Sequence, residues 1–356
     1  MASILAVHEA YRKRLLAADR ELAADLVKAY TAVYERLKRD FAAALADVKA
    51  SPESVAYRVS RLRALEAQVV ERIARYGGTA ADSIAQAQAA AVELAVGATA
   101  EQLTLALTPA PPTVRIESLF TRLPVRAAES LAGFASDGSP LAALFAEIAP
   151  AAGEAVRDRL LSGLALGFGP ERIAAEVRDE LGVPLSRSLR IARTETLRAY
   201  RTSAAEYLKE NSEYVAGWWW KASGGLRCCP VCWAMDGTFH PLDEPFASHV
   251  CCRCTTIPAA KSWAELGYPD MPDRTWKPKE TGEEVFANLD ESEQRKILGP
   301  GKFDLYRKGS MRLSDLVHEG EDERWGPYRV ERSLKNCGAN PNDGTSPGKR
   351  GRNRTQ

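Results

Sequence analysis

From Ser3 to Ala50 the chain contains neither glycine nor proline, and this limits the fold more than any other feature. Leu16, Leu22, Leu26, Tyr30, Val33, Tyr34, Leu37 and Phe41 recur there mostly at steps of three and four. That spacing lines one face of a helix and cannot alternate across a strand. Ser51-Pro52-Glu53 then supplies an N-cap and a proline at the first helical position. A second helix is expected to run to about Tyr76, with Gly77-Gly78 as its stop, and a third, alanine-rich helix covers about 79–106. Helices of this length form a hairpin or bundle, either an elongated arm or a compact core.

Pro109-Ala-Pro-Pro112 breaks the pattern. Helical character resumes over about 115–180, interrupted at Asp137-Gly-Ser-Pro140, Pro150 and Gly167-Phe-Gly-Pro170. A helix Glu171–Leu181 is expected to close at Gly182-Val-Pro184, with a separate one from Pro184 or Ser186 to about Lys209. On that last helix Arg187, Arg190, Arg198 and Arg201 fall within an arc of about 80°, flanked by Arg193. Leu185, Leu189, Ala192, Thr196, Ala199, Tyr200 and Tyr207 lie opposite. Such a face is either solvated, with pairs such as Glu195 with Arg198, or a contact for an anionic partner.

Val215–Ala222 reads as a strand in which Trp218, Trp219 and Trp220 alternate sides. Five metal-type ligands follow: Cys229-Pro-Val-Cys232, then His249-Val-Cys-Cys252-Arg-Cys254. Cys-x-x-Cys lets two thiolates reach one ion from a tight turn, and zinc takes four such ligands in a tetrahedron. Five candidates compete for four places: Cys229, Cys232, His249 and one of Cys252 and Cys254, with spacing to His249 favouring Cys252. Cys228 and Cys251 fall outside both spacings and read as bystanders, and His240 is a weaker candidate. A closed four-ligand site is structural, because a catalytic zinc keeps an open position; one structural Zn2+ per chain is expected. Disulfides fit poorly with an odd total of 7 cysteines and no secretory signal. Asp236-Gly237 signals a hairpin between Trp233-Ala-Met and Thr238-Phe-His, and the tryptophans read as core and as a wall beside the metal.

Lys+Arg 48 against Asp+Glu 47 leaves a net charge of +1, so bulk charge does not make this chain a polyanion binder. No apolar run is long enough to span a membrane. Beyond Thr255, Trp263–Pro278 reads as an irregular lid and Glu283–Leu298 as a helix ending at Gly299-Pro-Gly301. Phe303–Tyr306 and Leu313–Val317 read as short helices. From about 338 the composition, ending Lys349-Arg-Gly-Arg-Asn-Arg354, reads as a disordered basic tail.

Several of these motifs stand in a fixed order: Ile191-Ala-Arg-Thr-Glu-Thr196 on a helix, Trp220, Cys229-Pro-Val-Cys232, Met235-Asp-Gly237, His249-x-x-Cys252-Arg-Cys254, Leu289 to Gln294, and Ile297-Leu-Gly299. The combination resembles the phage Mu F-like minor head proteins, also called phage head morphogenesis proteins, over about 150–320. That family commonly shows His-Pro-Asn-Cys-Arg-Cys, where this chain has Val250 and Cys251 in place of Pro and Asn. The resemblance marks Arg193, Thr194, Glu195, Trp220, Asp236 and Gly237 as motif residues. It implies a minor capsid component made in the host cytoplasm and carried in the virion, in the head interior or at the portal vertex. Its partners would be portal protein and capsid components, and its work head assembly and genome packaging or delivery. The arginine face and the basic tail are the candidate contacts to packaged DNA; no membrane and no appended toxin are expected.

The expected fold is mainly α: a long N-terminal helical hairpin or bundle, then a helical α+β domain with a small zinc-stapled β/loop segment. The divisions are 1–108, long helices; 109–150, linker and short helices; 151–320, the Mu F-like domain with its cluster segment at 215–258; and 321–356, a basic tail. Two other readings compete. A zinc hydrolase or nuclease would need Asp236 or Glu195 as a base beside an open metal site. A zinc-containing nucleic-acid-binding module would need a recognition element that the near-neutral charge and the spacing after the cysteines do not supply.

Overall fold

The computed structural model describes residues 3–50, 55–116, 119–120, 131–135, 137–166, 168, 170–322 and 326–336. The N-cap expected at Ser51-Pro52-Glu53 and the tail from 338 lie outside these residues. The protein is mainly helical. Helix α1 spans Ile4–Ala50 and α2 spans Val55–Ala106, 47 and 52 residues long, or about 70 and 80 Å at 1.5 Å per residue. Two short-loop helices follow, α3 (Leu141–Ala146) and α4 (Ile148–Ala165), and then a third long one, α5 (Pro170–Glu210).

The apolar stripe of α1 is buried as its spacing predicts: Leu22, Leu26, Tyr30, Leu37 and Phe41 pack with Leu65, Val69, Ile73 and Ile84 of α2 and with Ile173, Val177 and Leu181 of α5. Closer to the α1 N-terminus, Ala91, Ala95 and Ala98 let the three helices approach around Leu15, Leu197 and Tyr200.

Two expected breaks are absent, for the same physical reason. Helix α2 runs straight through Gly77-Gly78. Interior glycines cost about 1 kcal/mol each relative to alanine, but the flanking Tyr76, Ala80, Ala81 and Ile84 are all buried in the core. Gly77 also permits a close approach: a Cβ there would stand 3.0 Å from Phe145 Cβ of α3. Helix α5 likewise continues through Gly182-Val-Pro184 as one element of 41 residues. A proline inside a helix removes one backbone hydrogen bond and disturbs the carbonyls of the preceding turn. Here the buried Tyr30 hydroxyl of α1 donates to the Leu181 carbonyl, and Ser188 Oγ donates to the Pro184 carbonyl at 2.7 Å. Burial and the neighbouring Tyr76 and Tyr34 push the Tyr30 phenol far above its usual range, so it remains a donor. Tyr30→Phe is expected to cost about 0.5–1.5 kcal/mol through the lost buried hydrogen bond, read as a lower denaturant midpoint at unchanged slope.

After α5 comes a small three-stranded antiparallel sheet in the order β2-β1-β3: β1 Val215–Lys221, β2 Phe239–His240, β3 Thr255–Ala260. Trp218 pairs with His240 across to β2 and with Pro258 across to β3. The tryptophans alternate as predicted: Trp218 and Trp220 are buried, and Trp219 turns to Phe239 and Trp276 on the other side. The segment expected as the first arm of a hairpin is instead a short helix, α6 (Pro230–Met235). Asp236-Gly237 joins it to β2, with Gly237 at φ +80°.

The segment Lys261–Thr281 forms no helix or strand. It is nevertheless anchored, with the Trp263 indole donating to the carbonyls of Leu107 and Pro109 at 3.2 and 3.0 Å. The expected helix 283–298 is two, α7 (Gly282–Ala287) and α8 (Glu291–Leu298). Thr281 and Glu284 cap the first reciprocally, and Asp290 stands at the N-cap of the second. Helix α9 (Pro300–Arg307) follows Gly299. Leu313–Val317 is a single 3-10 turn, Ser314–Leu316, leading into a hairpin of β4 (Val317–Asp322) and β5 (Gly326–Glu331). Ordered structure therefore extends into the stretch expected as tail.

A second core joins both halves of the chain. Ile4 of α1, Leu103 and Ala106 of α2 and Tyr207 and Leu208 of α5 pack with Trp218, Trp220, Ile257, Phe286 and the cluster cysteines. The small sheet is thus seated on the ends of the long helices. Among the described residues no helix is long and apolar enough to cross a membrane.

Candidate metal centre

The ligand candidates come from two places that the fold brings together. Cys229 caps α6, its Sγ accepting from the Cys232 amide at 3.4 Å, and Cys232 lies one turn on. His249, Cys252 and Cys254 come from the loop that enters β3. His249 Nε2 stands 3.2 Å from both Cys229 Sγ and Cys232 Sγ, and Cys232 Sγ stands 3.7 Å from Cys252 Sγ. For a tetrahedral zinc with sulfur at about 2.3 Å and nitrogen at about 2.0–2.1 Å, the edges are about 3.8 Å between sulfurs and about 3.6 Å from sulfur to nitrogen. The distances therefore fit after an opening of a few tenths of an ångström around the imidazole.

The imidazole is oriented for such a role. Nδ1 lies 2.8 Å from the Val250 carbonyl. A carbonyl only accepts, so Nδ1 carries a proton, and Nε2, the nitrogen turned to the thiols, is the one left for an ion, the arrangement that metal-binding histidines use. Electrostatics point the same way. Burial pulls the His249 pKa down, but Cys229 and Cys252 outweigh it and push it up to about 11. Hydrogen bonding from Cys232, against burial, brings Cys229 down to about 6. Without a cation the pocket would thus hold an imidazolium against thiolates, and a divalent ion can take that proton's place. The cluster has the donors, spacing and charge to hold a metal.

Cys228, expected as a bystander, is not one. It is buried and forms a group with Cys232 and Cys254, their sulfurs all within 4.8 Å of one another. Adjacency to Cys229 gave no spacing signal for this; the turn into α6 creates it. Cys251 does stand aside. Its φ is +62°, and its Sγ is 3.9 Å from Thr194 Oγ1 and from the Arg190 carbonyl. His240 also lies apart from the ligand groups. It stacks on Trp218 at 4.2 Å, held by Thr238 Oγ1 and Glu244 Oε1 at 2.8 Å each.

Helix α5 holds the ligand loop. Thr194 Oγ1 donates to the Arg190 carbonyl at 2.8 Å and accepts from the Cys251 amide at 3.1 Å, pinning the left-handed residue of the loop. Arg193 Nε reaches both oxygens of Asp19 at 3.1 and 2.9 Å, tying α5 to α1. Glu195 is fully buried and pairs with Arg198 Nε at 2.7 Å. Burial raises its pKa against the pull of Arg198. Arg198 also donates to the Phe134 carbonyl at 2.8 Å.

The arginine face is accordingly not a free surface. Arg201 is buried, donating from Nη1 to the carbonyls of Cys252 and Cys254 at 3.1 and 3.4 Å, with its guanidinium 5.1 Å from the Phe246 ring. Sequence reasoning placed it outward because periodicity shows which residues share a face, not that a second layer covers that face. Arg187 pairs with Glu147 at 3.2 Å, and Arg190 is exposed.

Trp220 and Asp236 are engaged within the fold. Trp220 is buried, stacked on Phe246 at 3.9 Å. Asp236 accepts from Lys221 Nζ at 3.0 and 2.8 Å and from the Ala222 amide at 2.8 Å. With those oxygens engaged, Asp236 is an internal tie between β1 and the turn after α6.

His8 also bears on the site. It is buried on α1, with Nε2 2.8 Å from Thr255 Oγ1, the residue after Cys254. Burial lowers its pKa from 6.5 to about 4. Its folded form is therefore neutral where the unfolded chain binds a proton. The stability this contributes is present above pH 6.5 and is lost as pH falls from 6.5 towards 4, up to about 3 kcal/mol. His8→Gln should flatten the stability profile in that window, measured by urea unfolding at stepped pH.

Comparison with known proteins agrees with this arrangement. Residues 154–257 match the profile of the family described as Phage Mu protein F like protein. No curated protein and no solved structure matches the chain. The matched stretch takes in α5, β1, α6, every cysteine of the cluster and His249, and over residues 154–257 this chain is similar to the phage Mu protein F-like proteins.

Proposed function

We propose that this protein is a minor head protein of a tailed phage or prophage, acting in head morphogenesis at the portal vertex and in packaging or delivery of the genome. The observation that carries this reading is the family match over 154–257. On this reading the protein resides in the virion, meets portal protein and capsid components through its long helices, and uses the cluster as a structural zinc centre. Zinc suits the donor set, since thiolates with one imidazole in a closed tetrahedral pocket favour a borderline-soft ion without redox chemistry. The ion would lock the ligand loop onto α6 and β3. DNA contact would fall to Arg187, Arg190 and the basic tail.

The hydrolase reading has less support. Asp236 is taken up by Lys221 and the Ala222 amide, and Glu195 is sealed in an ion pair with Arg198.

The test is to purify particles of the phage that encodes this chain, identify their proteins by mass spectrometry, and localise this one by asymmetric cryo-EM reconstruction. The reading expects the chain in few copies at or inside the portal vertex. Mature particles that lack it, assembled without its having passed through proheads, would contradict the reading.

A further inference from the structure

Six side chains make up the cluster: two groups that share a residue, Cys229, Cys232 and His249, and Cys228, Cys232 and Cys254, with Cys252 beside them, its Sγ 3.7 Å from Cys232 Sγ. Cys232 belongs to both. Its sulfur neighbours Cys228, Cys229, Cys252 and Cys254. Cys252 interacts with Cys232, Cys254 and His249. Cys228 and Cys254 neighbour each other. One tetrahedral ion uses four ligands, and would leave two buried thiols of this cluster idle. Two tetrahedral ions need eight ligand places, and six side chains fill them when two thiolates are shared.

We propose that the cluster holds two zinc-type divalent ions bridged by the thiolates of Cys232 and Cys252. Cys229 and His249 complete the first ion's shell, and Cys228 and Cys254 the second's. The Cys232–Cys252 separation of 3.7 Å is the shared edge, close to the roughly 3.8 Å of a zinc–thiolate tetrahedron. Five thiolates, a neutral imidazole and two divalent ions sum to one negative charge, which the buried Arg201 guanidinium faces through its bonds to the Cys252 and Cys254 carbonyls. The second group is also the more enclosed, with Cys228, Cys232 and Cys254 all buried, as expected of a site that excludes water and is structural.

This inference rests on the metal reading of the cluster but fails separately from it. Native mass spectrometry of the full-length, reduced chain expressed with zinc should show two ions per chain, falling to one in Cys228→Ser and in Cys254→Ser. One ion in the wild type overturns the second site and leaves the first; none overturns both. A second ion that survives both substitutions sits elsewhere and overturns the assignment. Should the variants fail to fold, 113Cd NMR of the cadmium-substituted wild type decides. Two resonances with mutual coupling through bridging sulfur are expected, and a single resonance or two uncoupled ones overturn the bridge.

Discussion

Replacing Cys232 with serine should abolish metal binding and unfold the segment from Cys228 to Cys254. Cys232 is common to both ligand groups, so its loss removes a ligand from each of them. A structural zinc contributes on the order of 10–16 kcal/mol to the folding of a small site, as much as the whole net stability of an ordinary domain. The loss should nonetheless be regional. The core formed by Leu26, Tyr30, Val69, Ile73, Phe145 and Val177 contains no cluster residue, so the long helices should keep their protection in hydrogen exchange. The sheet and α7–α9, which share the second core with the cysteines, should lose theirs. Cys251→Ser is the control, expected to stay within about 0.5 kcal/mol of wild type, because Cys251 belongs to neither ligand group.

The second large effect is expected at Arg201. Its side chain supplies two hydrogen bonds to the carbonyls of ligand residues and a positive charge at the edge of an anionic cluster. Arg201→Met leaves the carbonyls unpaired and the cluster uncompensated, and breaking a buried charge pair in this way costs about 3–5 kcal/mol. Lysine should rescue it only in part, since its ammonium is more strongly hydrated and lacks the flat guanidinium that lies 5.1 Å from the Phe246 ring. Both variants should show a lower denaturant midpoint and give up their metal to a chelator more readily than wild type. If Arg201 belonged to a surface patch for a partner, its removal would leave stability and metal retention unchanged. Arg187→Met should do just that, because Arg187 is half-exposed and pairs with a surface glutamate.

What could be read from sequence was whatever depends on local periodicity and spacing. The α1 stripe, the alternation of Trp218, Trp219 and Trp220, the Gly299 stop and the gathering of Cys229, Cys232 and His249 follow from rules that act over a few residues. The misreadings depend on distant partners. Gly77-Gly78 and Pro184 look like stops until Phe145, Tyr30 and a continuous core show why the helices pass through them. Cys228 looks idle until α6 turns it towards Cys254. Arg201 looks exposed until the loop before β3 is laid over it. The β4–β5 hairpin went unseen because its Gly- and Glu-rich first strand carries little apolar alternation; Val317–Asp322 is half-buried at most.

A metal ion bound by the cluster would hold the loop from His249 to Cys254 against α6 and α5. The most direct measurement is hydrogen exchange on the full-length, reduced protein before and after metal is stripped by a chelator, with metal content measured on the same samples. The account predicts bound zinc in the untreated protein, and loss of protection over 228–260 on stripping, while the α1, α2 and α5 core stays protected. A metal-free protein whose 228–260 segment keeps full protection would contradict it.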